Sequence, residues 1–124
     1  MNEISPKLQN QIAQFQQLQQ QLQSLLSQKF RLEAQLREAN MTLEELGKSP
    51  EDVTIYKSVG SLLIKASDKP SVQKDVEDDK ETLEVRIKTL ERQEKSMRDK
   101  YQVMQDQLSK ALGSGAVPEP PQGN

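Results

Sequence analysis

The sequence predicts a mainly α fold, a long antiparallel two-helix coiled coil with a single β-hairpin inserted between the helices. Two segments of equal length repeat apolar residues in heptads, and a short segment rich in β-branched and aliphatic residues separates them. The 124 residues are only 33% hydrophobic and 3% aromatic, which is too little apolar material for a large globular core. One elongated module is therefore expected.

The heptad positions define one apolar seam on each helix. In the first segment ten of twelve positions are apolar, and in the second nine of twelve. The first seam comprises Leu8, Gln11, Phe15, Leu18, Leu22, Leu25, Lys29, Leu32, Leu36, Ala39, Leu43 and Leu46. The second comprises Gln73, Val76, Lys80, Leu83, Ile87, Leu90, Glu94, Met97, Tyr101, Met104, Leu108 and Ala111. If the chain folds back so that Leu8 faces Ala111, no layer opposes two polar residues, so one antiparallel register is predicted.

The first helix is predicted over residues 6–46. Ser5 is a suitable N-cap, and Pro6 at the first helical position sacrifices no hydrogen bond. Gly47 is predicted to end the helix in the left-handed conformation that often follows a helix C-terminus. Residues 8–28 contain no charged side chain, so this part of the helix has a neutral, glutamine-rich surface.

The segment between the helices is predicted to form a β-hairpin over residues 53–66, with Val59-Gly60-Ser61 as the turn. Val53, Ile55, Leu62 and Ile64 are expected on one face, and Tyr56 and Leu63 on the other. An isolated two-stranded hairpin is marginally stable in water, and its unpaired edges invite further strands. We therefore expect hairpins from several chains to join into an oligomeric β-barrel.

The second helix is predicted over residues 72–112, with a start anywhere between Lys69 and Val72. The residues from Gly113 to Asn124 are rich in Gly and Pro and have no periodicity, which predicts a disordered tail. The predicted organisation is one coiled-coil and hairpin module over residues 1–112, followed by a tail over residues 113–124.

The composition argues against several classes of function. The chain has no Cys and no His, and no nucleophile–base pair or converging carboxylate cluster is evident, so we expect no enzyme activity, metal or cofactor. A net charge of −2 gives no electrostatic basis for binding nucleic acid. No apolar run is long enough to cross a membrane, and the N-terminus does not resemble a signal peptide, so a cytoplasmic protein is expected.

The outer ends of the two helices carry more apolar residues than a seam requires, including Ile4, Ile12, Val103 and Leu112. They either present an adaptable apolar surface to another protein or are scattered aliphatics beside an ordinary coiled-coil core. The pattern alone favours the core. Lys29 and Glu94 lie in adjacent predicted layers, and two interpretations stay open for them: an ion pair that sets the register, or two side chains that bend separately to solvent.

The order of these motifs resembles the β-type subunits of prefoldin. The resemblance covers residues 5–112 and rests on Tyr56-Lys57-Ser58-Val59-Gly60 and Leu62-Leu63-Ile64-Lys65 between equal heptad segments. It also rests on residues 29–36 and 83–95. The 25-residue connector from Gly47 to Ser71 has room for one hairpin, whereas α-type subunits need room for two.

The resemblance implies a heterohexamer of two α and four β subunits, with a β-barrel body from which six coiled coils project. It implies an ATP-independent holdase that binds non-native client proteins at the coiled-coil tips and transfers them to a group II chaperonin. The residues implied in oligomerisation are Val53, Ile55, Tyr56, Val59, Leu62, Leu63 and Ile64. The residues implied in client binding are Ile4, Leu8, Ile12, Phe15, Met104, Leu108 and Leu112. The first alternative is a passive coiled-coil tether or scaffold subunit. The second is a coiled-coil arm that binds RNA, but the uncharged residues 8–28 argue against it because phosphate contacts need Lys or Arg.

Overall fold

The computed structural model describes residues 5–113 and Pro121. The elements follow in the order α1 (Pro6–Lys48), β1 (Tyr56–Val59), β2 (Leu62–Lys65) and α2 (Lys69–Leu112). Two long helices with one antiparallel hairpin between them confirm the predicted fold class. The predictions made for Ile4 and for the tail lie outside the described residues, apart from Gly113 and Pro121.

The first helix begins as the sequence predicts. The Ser5 hydroxyl accepts a hydrogen bond from the Leu8 backbone N–H at 3.1 Å, and the Ser5 carbonyl accepts one from Gln9 at 2.9 Å. Ser5 is therefore the N-cap of α1, and Pro6 occupies the first helical position, where its missing N–H costs nothing.

The prediction that Gly47 ends α1 is wrong, because the helix continues to Lys48 and the φ of Gly47 is not positive. The terminal carbonyls find other partners: Ser49 donates its hydroxyl to the Glu45 carbonyl at 2.9 Å and its N–H to the Leu46 carbonyl at 3.1 Å. These bonds satisfy terminal carbonyls that the N–H groups following a left-handed glycine would otherwise satisfy. Pro50 then prevents the helix from continuing.

The hairpin pairs Tyr56 with Lys65 and Val59 with Leu62, so its loop consists of Gly60 and Ser61 alone. The prediction that Val59 belongs to the turn is wrong, because Val59 pairs with Leu62 as the last residue of β1. Gly60 has a φ of 59°, whereas no residue other than glycine has a positive φ in the described part of the chain. A positive φ at the first loop residue only is typical of a type II′ turn, which matches the twist of paired strands. The ladder is extended by a bond from the Ala66 N–H to the Ile55 carbonyl at 2.8 Å.

The second helix begins at Lys69, the earliest start that the sequence left open. Asp68 is its N-cap, since its carboxylate accepts a hydrogen bond from the Ser71 N–H at 3.1 Å. The hydrogen bonds from Ser71, through its side chain and its backbone, lower the pKa of Asp68. The second helix therefore starts with an anion at its positive end.

The described residues form two compact units, one containing residues up to Phe30 and from Lys88 on, the other Arg31–Ile87. In the first unit the core consists of Phe15, Leu18, Tyr101 and Leu108, with Leu22 and Leu25 also buried. In the second unit Leu32, Leu46 and Ile87 are buried. Of the 24 predicted seam positions, all of them described, only Ala111 is exposed. The heptad pattern thus identified the packed face of both helices.

Candidate functional site

The hairpin is the most exposed apolar element of the described chain. All eight strand residues are exposed, and Leu63 is 74% accessible. In an antiparallel pair, opposite residues project to the same face and alternate residues to opposite faces. The register therefore places Leu62 and Ile64 on one face and Tyr56 and Leu63 on the other, as the sequence predicted, and it adds Val59 to the first face.

This hairpin exposes apolar side chains on two faces and unpaired backbone groups on two edges. Such a two-stranded ribbon has little stability of its own, and exposed strand edges are templates for further strands. Val53 and Ile55 precede β1 and are half-buried, with the Val53 N–H bonded to the Pro50 carbonyl at 3.1 Å. The seven residues implied in oligomerisation therefore divide into five exposed strand residues and two half-buried residues beside the hairpin.

A second apolar region lies where α1 begins and α2 ends. The Phe15 and Tyr101 rings meet with their centroids 4.5 Å apart at an angle of 42°, and Tyr101 is fully buried. Half-buried side chains pack around this core: Leu8, Ile12, Met97 and Met104. Burial of Tyr101 also raises the pKa of its hydroxyl, because the charged form would lose solvation.

The residues implied in client binding differ in their accessibility within this region. Phe15 and Leu108 are buried in the helix–helix core, whereas Leu8, Ile12 and Met104 are half-buried at its margin. Leu112 is 41% exposed, and Val103, on the outer side of α2, is 56% exposed. The outermost seam position, Ala111, is also exposed. In this structure the accessible apolar surface is thus provided by the last residues of α2 and the margin of the core.

An ion pair links the two helices next to this region. Lys29 Nζ lies 3.0 Å from Glu94 Oε1, and Arg98 Nε donates to Glu94 Oε2 at 2.9 Å. The Lys29 and Glu94 side chains are only 23% and 17% accessible. The register-setting ion pair was one of the two interpretations that the sequence left open, and the structure contains that pair.

The carboxyl of Glu94 is affected by two opposing influences. Its desolvation would raise the pKa, but the hydrogen bonds from Arg98 and Lys29, together with their positive charges, outweigh that effect and lower the pKa. Arg98 also donates to the Pro121 carbonyl at 2.9 Å. Glu94 is therefore held as an anion between two cations.

Lys69 was not predicted to be important, yet it is the one buried charged residue among those described. Its ammonium donates to the Ser49 carbonyl at 2.7 Å. One feature of the sequence could have indicated that Lys69 has a specific contact: it is a cation at the start of a helix, where positive charge is unfavourable. Periodicity could not reveal the contact because Ser49 lies in the preceding connector.

The described residues contain no group of three or more acidic side chains arranged to hold a metal ion. Within the same residues, no helix has the length and apolar character that a membrane span requires.

Comparison with known proteins gives the same architecture. The family model described as "Prefoldin subunit" matches residues 9–115. The chain is 44% identical to the prefoldin subunit beta of Archaeoglobus fulgidus, over 94% of this chain and 99% of that protein. It is also 44% identical to the Methanosarcina acetivorans prefoldin subunit beta, over 93% of this chain and 97% of the relative. The crystal structure of the prefoldin beta subunit from Thermococcus strain KS-1 superposes with a TM-score of 0.79 at 36% identity, covering 93% of this chain and 100% of that one.

The chain therefore belongs to the prefoldin subunit family, whose members are chaperones that assemble with one another. Within that family it is of the β type, because it has one hairpin between its helices and is similar over most of its length to β subunits. The predicted resemblance is confirmed.

Proposed function

We propose that this chain is the β subunit of a cytoplasmic, ATP-independent holdase made of two α and four β subunits. The hairpins of neighbouring subunits join into a β-barrel, and non-native proteins bind at the ends of the coiled coils before transfer to a group II chaperonin. The observation that carries the proposal is the exposed hairpin, whose apolar side chains on both faces are suited to burial between subunits. Family membership supplies the chaperone class.

The assembly step predicts that apolar hairpin residues are needed for the heterohexamer. Leu63 and Ile64 are exposed on opposite faces, so Leu63→Ser with Ile64→Ser removes one exposed apolar side chain from each face. The native mass of the variant mixed with an α-type subunit should fall below that of a two-α, four-β particle. A matched control is Lys57→Ser, an exposed strand residue that is already polar. A double variant that retains the full mass would refute assembly through the hairpin.

The client-binding step rests on the half-buried and exposed side chains at the end of the helix pair. Several weak apolar contacts, repeated on six coiled coils around one client, give avidity while each contact remains easy to break. Ile4, Leu8, Ile12, Met104 and Leu112 are proposed to make them. Phe15 and Leu108 are proposed to join only when the helix ends separate, since both are buried in the closed pair.

The test is suppression of aggregation of a chemically unfolded client by the assembled protein without ATP. Val103→Ser with Leu112→Ser removes exposed apolar side chains near the end of α2, and this variant should lose suppression while keeping its mass. Met41→Ser with Val85→Ser changes two apolar residues elsewhere that are more exposed than Val103 and Leu112, and this variant should retain suppression. Equal loss in both variants would exclude the helix ends as the binding site. A passive tether, by contrast, would suppress no aggregation even as the unmodified assembly.

Transfer is tested separately with a fluorescent client bound to the assembled protein. Addition of a group II chaperonin should move the label to the mass of the chaperonin without nucleotide, because competition for the client requires only a second apolar surface. Retention of the label on the smaller particle would contradict the transfer step and leave the holdase step intact.

A further inference from the structure

Lys69 combines burial with a charge. Its side chain is 5% accessible, and buried lysine is rare in proteins unless its ammonium is paired. It lies at the first position of α2, immediately before Pro70. The residue is thus placed where the chain returns from the hairpin to the helix pair.

The close partner of the ammonium is a backbone carbonyl. Lys69 Nζ donates to the Ser49 carbonyl at 2.7 Å, while the nearest carboxylate oxygen, Glu51 Oε1, is 3.6 Å away on a side chain that is 85% accessible. Asp68, the adjacent acid, is already hydrogen-bonded to the Ser71 N–H. The position of Lys69 is therefore determined by the Ser49 carbonyl more than by an ion pair.

The electrostatics of the two helices also favour this contact. A cation at the first position of α2 is unfavourable for that helix, whose N-terminus carries partial positive charge. The same cation is favourable at the end of α1, where free carbonyls carry partial negative charge. Ser49 directly follows Lys48, the last residue of α1. The charge of Lys69 therefore stabilises the junction between the helices.

The hairpin is attached by two connectors of unequal length, residues 49–55 before β1 and residues 66–68 after β2. The short connector leaves few conformations open, whereas the long one needs further contacts to fix its path. Lys69 directly follows the short connector, and its bond to the Ser49 carbonyl holds the start of the long connector beside it. A groove at the base of the hairpin is lined by both connectors, including Glu51, Ile55, Ala66 and Lys69 itself.

We propose that Lys69 is a positioning residue that fixes the direction of the hairpin and thereby prepares it to join neighbouring subunits. The inference rests on the proposed assembly through the hairpin. A pre-ordered hairpin loses less conformational entropy on association than a hairpin that moves about its base. Loss of the Lys69 contact should therefore weaken assembly more than it weakens the coiled coil.

The direct test measures hairpin order in the full-length chain. Because the sequence has no cysteine, Ser61→Cys and Glu77→Cys place two spin labels uniquely, one at the hairpin turn and one on α2. Labelled chains diluted into unlabelled ones report distances within one subunit. Lys69→Met should broaden the distance distribution, whereas Lys74→Met, a change of an exposed lysine on the same helix, should leave it unchanged. A second label pair, Glu77→Cys with Glu84→Cys, should keep a narrow distribution in every variant and verifies that α2 stays folded.

The functional test measures the concentration at which the assembly with an α-type subunit dissociates. Lys69→Met should raise it by about tenfold, and Lys69→Arg, which keeps the charge and the donors, should recover part of the loss. An unchanged distance distribution or unchanged dissociation in Lys69→Met overturns the inference. If the Leu63→Ser, Ile64→Ser variant still assembles fully, the proposed function fails instead, so the two failures are distinguishable.

Discussion

The ammonium of Lys29 and the carboxylate of Glu94 lie 3.0 Å apart and join α1 to α2 at positions that heptad spacing assigns to the seam. Glu94 also accepts from Arg98 at 2.9 Å, so one carboxylate holds two cations. The predicted neighbours of this pair, Leu25 and Leu90, are apolar. An ion pair at such a position favours one alignment of the helices, because sliding by one layer would separate the Lys29 ammonium from the Glu94 carboxylate.

Glu94→Gln is expected to destabilise the chain by about 1–2 kcal/mol, because it leaves the half-buried Lys29 ammonium without its anion. Urea unfolding followed by circular dichroism measures this change. The control is Glu44→Gln, which removes an exposed ion pair with Lys48 and should cost less than about 0.5 kcal/mol. The double change Lys29→Leu with Glu94→Leu should recover most of the lost stability, since the seam would become apolar there. A double variant less stable than Glu94→Gln would show that the pair contributes more than two packed leucines.

The stability of the chain should depend on pH through Glu94. Its pKa is lowered in the folded chain from the ordinary value of 4.5, so the folded state binds this proton less readily than the unfolded state. The resulting stabilisation is fully present above the ordinary pKa and is lost as the pH falls through the lowered value. The difference in unfolding free energy between the original chain and Glu94→Gln should therefore be constant near pH 7 and shrink on acidification below about pH 4.5. A difference that is independent of pH would contradict this assignment.

The heptad pattern was sufficient to predict which side chains pack between the helices, because helical periodicity alone determines which residues share a face. It did not predict that the Phe15 ring would meet Tyr101, which belongs to the layer next to that of Phe15. Side chains lean along the helix axis, and the direction of that lean depends on rotamers and on neighbouring side chains. The sequence therefore predicted the seam and left the contacts along it open.

The connectors were harder to predict than the helices. Ser49 satisfies the terminal carbonyls of α1 in place of Gly47, and Lys69 reaches back across the hairpin base to Ser49. Both contacts depend on the path of the chain between two elements, and a periodic pattern carries no information about that path. The division of the hairpin faces was predictable, because strand alternation needs only the register and a short turn.

Phe15→Ala should destabilise the chain by about 3 kcal/mol, because it removes a buried ring that contacts Tyr101 and leaves a cavity. The measurement is urea unfolding of the full-length chain. Val103→Ala removes an exposed side chain near the same end of α2 and should change stability by less than about 0.5 kcal/mol. Similar effects of the two substitutions would mean that Phe15 is not part of a packed core in solution.

The two interior glycines should respond oppositely to alanine. Gly47 lies within α1 and has no positive φ, and a Cβ there would meet no atom within 4 Å, so Gly47→Ala should stabilise the chain by about 0.5–1 kcal/mol. Gly60 has equally open space, but its φ of 59° is unfavourable for alanine, so Gly60→Ala should destabilise the hairpin by about 1 kcal/mol. Thermal unfolding reports the first change, and amide hydrogen exchange of Tyr56–Lys65 reports the second. Since neither site is crowded, opposite effects of the two substitutions on stability can arise only from backbone conformation. Destabilisation by Gly47→Ala would contradict the helical assignment of that residue.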